Sequence, residues 1–260
     1  MQKTFCSSEL TPSQTRAFLD LIKTCQSYEP VRLGFPDDAD LFLFTCEQTT
    51  VISCLIVCKV QNDLWECYVF THPNRRKKGL CRDLIGKLCE LAPADTELVF
   101  LLDHQSPDAL TAFSFLEMDL WRTEYQMERR ISQKEALTAL PFPPAADAFS
   151  LSCKKIREDG EEGWEFIVFS CADTPSAPAN PVGHCRVLKH GHARFYLYHV
   201  EISPDFRRQG LGTWLMETVM QSLPENTGLY LHVSADNTPA VKLYKKTGFH
   251  ITETLSYYLY

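Results

Sequence analysis

The sequence predicts an α/β protein composed of two related halves. Strand-like runs rich in Val, Ile, Phe and Tyr alternate with amphipathic helical segments along its 260 residues. The same order of elements recurs after a Pro- and Ala-rich stretch, and one strand–loop–helix unit appears once in each half. We therefore expect domains at 1–132 and 148–260, joined by a linker at 133–147.

The first half is predicted to begin with a helix. Thr11 can cap this helix, and Phe18 and Ile22 belong to its apolar face. The predicted strands are Leu41–Cys46, Thr50–Val60, Leu64–Thr71, Leu98–Leu102 and Trp121–Ile131, and the later helices are Gly79–Leu91 and Pro107–Met118.

The second half is predicted to begin with two strands joined by a short turn at 158–160. That turn leaves no room for helices between these strands, and a Pro-rich loop follows the second one. The predicted strands are Phe149–Arg157, Trp164–Ala172, Val182–Leu188, Arg194–Ile202, Leu229–Val233 and Ile251–Tyr260, and the helices are Leu211–Leu223 and Thr238–Thr247.

Composition argues against several classes of protein. The net charge of -7 disfavours nucleic acid as a partner, since phosphate binding needs a basic face. The longest apolar run, 51–60, is too short to span a bilayer, and the N-terminus lacks a signal core. The 11 cysteines include no C-x-x-C pair, which favours reduced thiols over metal binding. We expect a cytoplasmic protein with no metal.

The repeated unit can be aligned without a gap between 65–81 and 196–212. Pro73 then matches Pro204, and Gly79 matches Gly210. Farther along, Phe115 matches Tyr244 after a small change in length. This agreement favours duplicated domains.

The second copy contains a loop suited to binding phosphate, Arg207–Gly212. A strand ends at Pro204, and Gly210 and Gly212 flank the start of the next helix. Glycines let a ligand approach the backbone, and the first N–H groups of a helix are unpaired and partly positive. Arg207 and Arg208 add positive charge, so the loop is predicted to hold a pyrophosphate.

A second motif narrows the prediction. The segment Asn237–Phe249 has the form N-x-x-A-x-x-L-Y-x-x-x-G-F. Together with R-x-x-G-x-G in Arg207–Gly212, it resembles the GCN5-related N-acetyltransferase (GNAT) family over about 182–260, and the first half resembles it more loosely. The resemblance implies two tandem acyl-CoA N-acyltransferase domains, each with a mixed, mostly antiparallel sheet flanked by helices. It also implies transfer of an acetyl group from acetyl-CoA to a primary amine.

The resemblance also implies roles for individual residues. Backbone near Ile202 would hold the pantetheine and the acetyl carbonyl, N–H groups of Gln209–Thr213 the pyrophosphate, and Asn237 the pantetheine side. Tyr244 would lie near the thioester sulfur and act as the general acid, because its hydroxyl stays protonated at neutral pH. The full cofactor-binding set is Ile202, Arg207, Arg208, Gln209, Gly210, Leu211, Gly212, Thr213, Asn237 and Tyr244.

The general base is left open. Regular alternation along Arg194–Ile202 would place His199 and Glu201 on one face with Leu197, and Ile202 on the other. Glu201, His199 and His232 are the candidates. Each also fits a structural or solvated role, and a mechanism without a dedicated base is a further alternative.

The first copy appears degenerate in this alignment. Cys81 replaces Gly212 and would add a side chain where phosphate approaches. Phe115 replaces Tyr244, Asp119 replaces Gly248, and Asp108 replaces Asn237. We therefore expect catalysis in the second half alone.

The missing helices of the second half leave one wall of the acceptor site unassigned. The loop at 174–181, the first domain or a second subunit could supply it, so a homodimer is one option. A rival interpretation is a non-catalytic acyl-CoA-binding or regulatory module.

Overall fold

The computed structural model describes residues 2–131, 148–158, 160–171 and 180–260. The chain forms two compact units. The first comprises 1–124 and 253–260, and the second comprises 125–252.

The first unit is a mixed sheet with helices on both faces. Its strands lie in the order β1–β2–β3–β4–β5 followed by the 253–259 part of β12. Only the β4–β5 pair is parallel among these neighbours. The elements are β1 (Gln2–Ser7), α1 (Pro12–Tyr28), β2 (Leu41–Glu47), β3 (Thr50–Lys59), β4 (Leu64–Thr71), α2 (Leu80–Leu91), β5 (Glu97–Asp103), α3 (Pro107–Phe115), β6 (Asp119–Ile131) and β12 (His250–Leu259).

The second unit repeats this order of strands. The 125–131 part of β6 lies beside β11, followed by β10, β9, β8 and β7. The β10–β11 pair is parallel, and the pairs from β7 to β10 are antiparallel. Its other elements are β7 (Phe149–Glu158), β8 (Glu161–Ser170), β9 (Asn180–His190), β10 (Arg194–Ile202), α4 (Leu211–Ser222), β11 (Thr227–Ser234) and α5 (Thr238–Lys246).

The two units differ in how their sheets are covered. In the first unit, α1 packs on one face through Phe18 and Ile22, while α2 and α3 pack on the other. In the second unit, α4 and α5 share one apolar core with β10 and β11. No helix among the described residues of the second unit covers the other face. The predicted lack of helices between the first two strands is confirmed.

The predicted mixed sheets flanked by helices are also confirmed, but β1 was missed. Its six residues carry little apolar periodicity, and β2 pairs with them along their whole length. The units also differ from the predicted segments 1–132 and 148–260. Residues 125–131 of β6 belong to the second unit, and 253–260 belong to the first. The predicted linker, 133–147, and the loop residues Pro175 and Pro178 lie outside the described residues.

Helix caps correct the alignment of the two copies. Ser106 caps α3 by accepting from the N–H of Ala109, and Asn237 caps α5 by accepting from the N–H of Ala240. Aligned from these caps, Phe113 corresponds to Tyr244. The predicted pairings of Tyr244 with Phe115 and of Asn237 with Asp108 are therefore wrong by two positions.

The ends of these helices agree with the new alignment. Glu117 (φ 54°) and Gly248 (φ 86°) both have left-handed backbone, so Glu117, and not Asp119, is the counterpart of Gly248. Phe115 is 77% exposed, whereas Phe113 and Tyr244 are both buried. The Ser106 cap was a readable signal in the sequence, because Ser is a preferred N-cap residue.

Among the described residues, no helix is both long enough and apolar enough to cross a membrane.

Close packing of β8 against β9 leads to a stability prediction. A Cβ atom on Gly163 would lie 2.4 Å from the carbonyl oxygen of Val187 and 2.7 Å from Leu188 Cδ2. We expect Gly163→Ala to lower the free energy of unfolding by about 1–3 kcal/mol, measured by urea denaturation. Gly34→Ala is the control, because no atom lies within 4 Å of its Cβ position. Equal midpoints for the two variants would contradict the expected clash.

Candidate active site

The candidate site lies where β10 and β11 part. Their parallel pairing covers only Arg194–Tyr196 with Gly228–Tyr230. Beyond this point β10 continues to Ile202 along β9, without a strand partner on its other edge among the described strands. We call this opening the fork. Backbone polar groups left unpaired by a ladder need another partner, so such an edge is suited to hold a ligand.

A bulge in β10 changes the predicted faces of its side chains. Tyr198 pairs with Arg186, and Glu201 pairs with His184, so two residues of β10 lie opposite one residue of β9. His199 has a left-handed backbone, with φ 51°. Because paired residues share a face, Glu201 lies on the same face as Tyr198.

The predicted grouping of Glu201 with Leu197 is therefore wrong, and so is the separation of Ile202 from Leu197. Ile202 pairs with Gly183 and packs against the core that contains Leu197. The sequence shows no sign of this bulge, since His199 is not a residue type that requires left-handed backbone.

The predicted phosphate loop adopts a strained, compact turn after β10. A short 3₁₀ turn, Pro204–Phe206, is followed by Arg208 with φ 65° and Gly210 with φ 86°. Arg207 Nε donates to the carbonyl oxygen of Ile202 at 2.8 Å, which ties the loop to the end of β10. Gly210 is the N-cap of α4 and has no side-chain cap, so the first N–H groups of α4 can serve a ligand.

Gly212 lies at a position where α4 packs closely against its neighbours. A Cβ atom there would lie 3.1 Å from Leu243 Cδ2 and 3.9 Å from Ile202 Cγ1. Its missing side chain therefore lets α4 approach α5 and β10. The predicted approach of phosphate to the backbone of this glycine stays a prediction.

Tyr244 and Asn237 lie on α5. Tyr244 is buried in the core shared with α4, 5.8 Å from the ring of Phe249. Burial, with a smaller contribution from Cys185, raises the pKa of Tyr244 to about 12. Its hydroxyl is consequently protonated at neutral pH. Asn237 is exposed, and its side chain caps α5.

A group of aromatic side chains occupies the opposite face of the fork. Tyr196 stacks on Tyr198 and Tyr230, with ring centroids 5.4 and 5.1 Å apart. The His232 ring lies 5.7 Å from that of Tyr196. We call Tyr196, Tyr198, Tyr230 and His232 the aromatic face. All three candidate bases are exposed; His232 belongs to the aromatic face, whereas His199 and Glu201 lie farther along β10.

The first unit has a counterpart of the loop. Lys77 (φ 61°) and Gly79 (φ 81°) match Arg208 and Gly210, and Arg76 Nε donates to the carbonyl oxygen of Thr71 at 3.3 Å. Arg76 is also held by two carboxylates, 2.8 Å from Glu29 Oε2 and 3.1 Å from Asp108 Oδ2. The pKa of the Asp108 carboxyl is lowered, mainly by the hydrogen bond from Arg76.

The parting of β4 and β5 opens a cavity of about 510 Å³ in the first unit. Leu33, Val69, Leu101 and Phe113 contribute to its mainly apolar lining, together with Cys25 and Cys81. Phe113 has no hydroxyl to donate. The predicted replacement of a tyrosine by a phenylalanine in the first copy therefore concerns Phe113 and not Phe115.

The replacement of Gly212 by Cys81 is accompanied by a second difference between the copies. Cap alignment places Ala112 opposite Leu243, so Gly212 with Leu243 in the second unit corresponds to Cys81 with Ala112 in the first. A larger side chain on α2 thus accompanies a smaller one on α3. Both residues are partly buried and line the cavity, and burial raises the pKa of Cys81 to about 12. The obstruction of phosphate by Cys81 stays a prediction.

No group of three or more His, Cys, Asp and Glu side chains that could hold a metal occurs among the described residues.

Comparison with known proteins points to one family. Residues 134–249 match the model of the Acetyltransferase (GNAT) family. An N-alpha-acetyltransferase of Sulfurisphaera tokodaii is 33% identical over 75 residues, which are 28% of this chain and 42% of that protein. The [Ribosomal protein bS18]-alanine N-acetyltransferase of Escherichia coli is 38% identical over 56 residues, 21% of this chain and 38% of that protein. The chain thus spans about two fifths of these relatives.

Solved structures are similar over the whole chain. A tandem GNAT protein from the clavulanic acid biosynthesis pathway has a TM-score of 0.69 at 15% identity, covering 100% of this chain and 98% of that one. A GCN5-related N-acetyltransferase from Sphaerobacter thermophilus has a TM-score of 0.64 at 15% identity, covering 99% and 95%. At this identity the likeness shows the fold.

The exchange of volume between α4 and α5 can be tested by a double-mutant cycle. We expect Gly212→Cys to lower the free energy of unfolding by about 1–2 kcal/mol, because its side chain meets Leu243. With Leu243→Ala present, the same change should cost less, giving a coupling of about 0.5–2 kcal/mol. The control cycle replaces Leu243→Ala by Val241→Ala on the same helix and should be additive. Additivity in both cycles would rule out the packing exchange.

Proposed function

This chain belongs to the GNAT family of acetyltransferases, and on that premise we propose that its second unit transfers an acetyl group from acetyl-CoA to a primary amine. The observation that carries the proposal is the fork, because its two sides have different polar side chains. Buried Tyr244 lies on the helix side, and the aromatic face with His232 lies on the open side.

Cofactor binding is assigned to the loop and its neighbours. N–H groups of Gln209–Thr213 would hold the pyrophosphate at the start of α4, with Arg207 and Arg208 adding positive charge. The free edge of β10 near Ile202 would take the pantetheine and the acetyl carbonyl. Asn237 would border the pantetheine, while its side chain keeps its capping bond to Ala240. No metal takes part in this scheme.

The reaction proceeds by direct attack. The neutral amine nitrogen forms a bond to the thioester carbon, and the carbon–sulfur bond then breaks. The amine loses one proton to a base, and the departing thiolate takes one proton from the Tyr244 hydroxyl, so charge and protons balance. The pKa of about 12 keeps that hydroxyl protonated until it is needed.

We assign the base to His232. Its ring lies on the open face at the point where the strands part, beside Tyr196, and is therefore across the sheet from Tyr244. Imidazole has an intrinsic pKa suited to accepting a proton near neutral pH. Glu201 and His199 are alternatives farther along β10.

The acceptor is a small amine, a peptide N-terminus or a lysine. A peptide with N-terminal alanine is a suitable first substrate, since the similar E. coli protein is named for that acceptor.

A cytoplasmic location fits 11 free cysteines, and the scheme involves neither nucleic acid nor membrane. A homodimer could supply the wall of the acceptor site that α-helices do not form. Its other predicted sources are the first domain and the loop at 174–181, which lies mostly outside the described residues.

Replacement of Tyr244 tests the proposal directly. We expect Tyr244→Phe to lower kcat by about 10²–10⁴-fold with little change in acetyl-CoA affinity, measured as release of free thiol with an amine panel. The wild-type rate should not fall through ionisation of Tyr244 between about pH 7 and 9, because its pKa is raised to about 12.

Phe113→Tyr in the first unit is the matched control and should leave kcat unchanged. If Tyr244→Phe equals the wild type with its best acceptor, the role as general acid is wrong. Tight binding of acetyl-CoA without turnover of any amine would instead support the non-catalytic acyl-CoA-binding module.

A further inference from the structure

A chain of polar contacts leads away from His232 into β6. His232 Nε2 lies 3.3 Å from Gln126 Oε1, and Gln126 Nε2 lies 3.1 Å from Glu128 Oε1 and 3.2 Å from Thr252 Oγ1. Arg194 forms a short ion pair with the same oxygen of Glu128. All of these residues belong to the second unit.

The chemistry of these groups fixes the direction of each hydrogen bond. A carboxylate can only accept, so the NH₂ group of Gln126 must face Glu128, and its carbonyl oxygen then faces His232. An amide oxygen can only accept as well, and therefore Nε2 of His232 must donate. A neutral imidazole has one N–H, which places its lone pair on Nδ1.

Several charged and titratable groups of the described residues lie around this ring. From β10, Tyr196 lies 5.7 Å from the His232 ring between centroids, and Arg194 faces Glu128. From β11 itself, Tyr230 lies 6.0 Å away, with the Arg194 guanidinium 4.6 Å from its ring centroid. His190 Nδ1 shares a short hydrogen bond with the Tyr230 hydroxyl. From β6, Glu128 accepts a hydrogen bond from the same Gln126 side chain that contacts His232. Arg194 forms an ion pair with Glu128.

We propose that Gln126 is a positioning residue, oriented by Glu128, that holds His232 in the tautomer with its lone pair on Nδ1. This inference rests on the proposed function, in which His232 accepts a proton from the attacking amine. When Nδ1 takes that proton, Nε2 keeps its hydrogen bond to Gln126, so the ring need not turn. The base of the second unit is thus oriented from β6, the strand that follows α3.

The tautomer can be observed without any turnover. In ¹⁵N-labelled full-length protein, the two ring nitrogens of His232 have distinct chemical shifts, and His232→Gln identifies their signals. We expect the Nε2–H tautomer in the wild type and a mixture of both tautomers in Gln126→Leu. An Nδ1–H tautomer in the wild type would overturn the proposal, whatever the activity of the protein.

The pH dependence of kcat/KM provides the second readout. We expect Gln126→Leu to lower kcat/KM by about tenfold through loss of the orienting hydrogen bond. Gln126→Glu keeps an acceptor for Nε2 but adds negative charge. It should therefore recover most of the rate at alkaline pH and move the acid limb upward by about one pH unit.

The control on the same strand is Arg130→Gln, an exposed position, whose profile should match the wild type. A folded Gln126→Leu variant with an unchanged profile would overturn the positioning role. If Gln126→Leu changes the tautomer of His232 but the wild type acetylates no amine, the proposed function fails while the orientation of His232 by Gln126 stands.

Discussion

The second unit depends on a single constraint, which is that β10 pairs with two neighbours at its start and with only one at its end. Three paired positions bring β10 and β11 together, and the strands then part. The bulge at His199 adds to this divergence by giving β10 one more residue than β9. The Arg207–Gly212 loop, the buried side chain of Tyr244 and the aromatic face all lie around the point where the strands part.

The two copies share one backbone framework but differ in the side chains that it holds. The 3₁₀ turns, the left-handed residues of the loops and the arginine bonds to the strand ends agree closely. The first copy has Phe113 in place of a tyrosine, and its β4 pairs with β3 without a bulge. Its loop arginine is neutralised by Glu29 and Asp108. The loops of the two copies therefore agree in backbone and differ in the side chains around them.

Much of this arrangement could be predicted from the sequence. Alternation and helical periodicity located nearly every described strand and helix, because each element buries one face in a continuous core. The turn at Arg207–Gly212 was predictable because glycine and proline leave signals in the sequence. The bulge was not, since its left-handed residue is a histidine. The contact between Gln126 and His232 could not be predicted either, because the two residues are 106 positions apart in the sequence.

Exchange of strand segments between the units has a consequence for how the chain can be divided. A fragment ending at Ile131 would lack the segment that pairs with β5, and one starting at Phe149 would lack the strand beside β11. Each fragment would expose a long sheet edge, a common cause of aggregation. The second unit, 125–252, is one contiguous segment that begins inside β6 and ends inside β12, whereas the first unit needs both ends of the chain. A division of the chain between β6 and β7 therefore removes a strand segment from each unit.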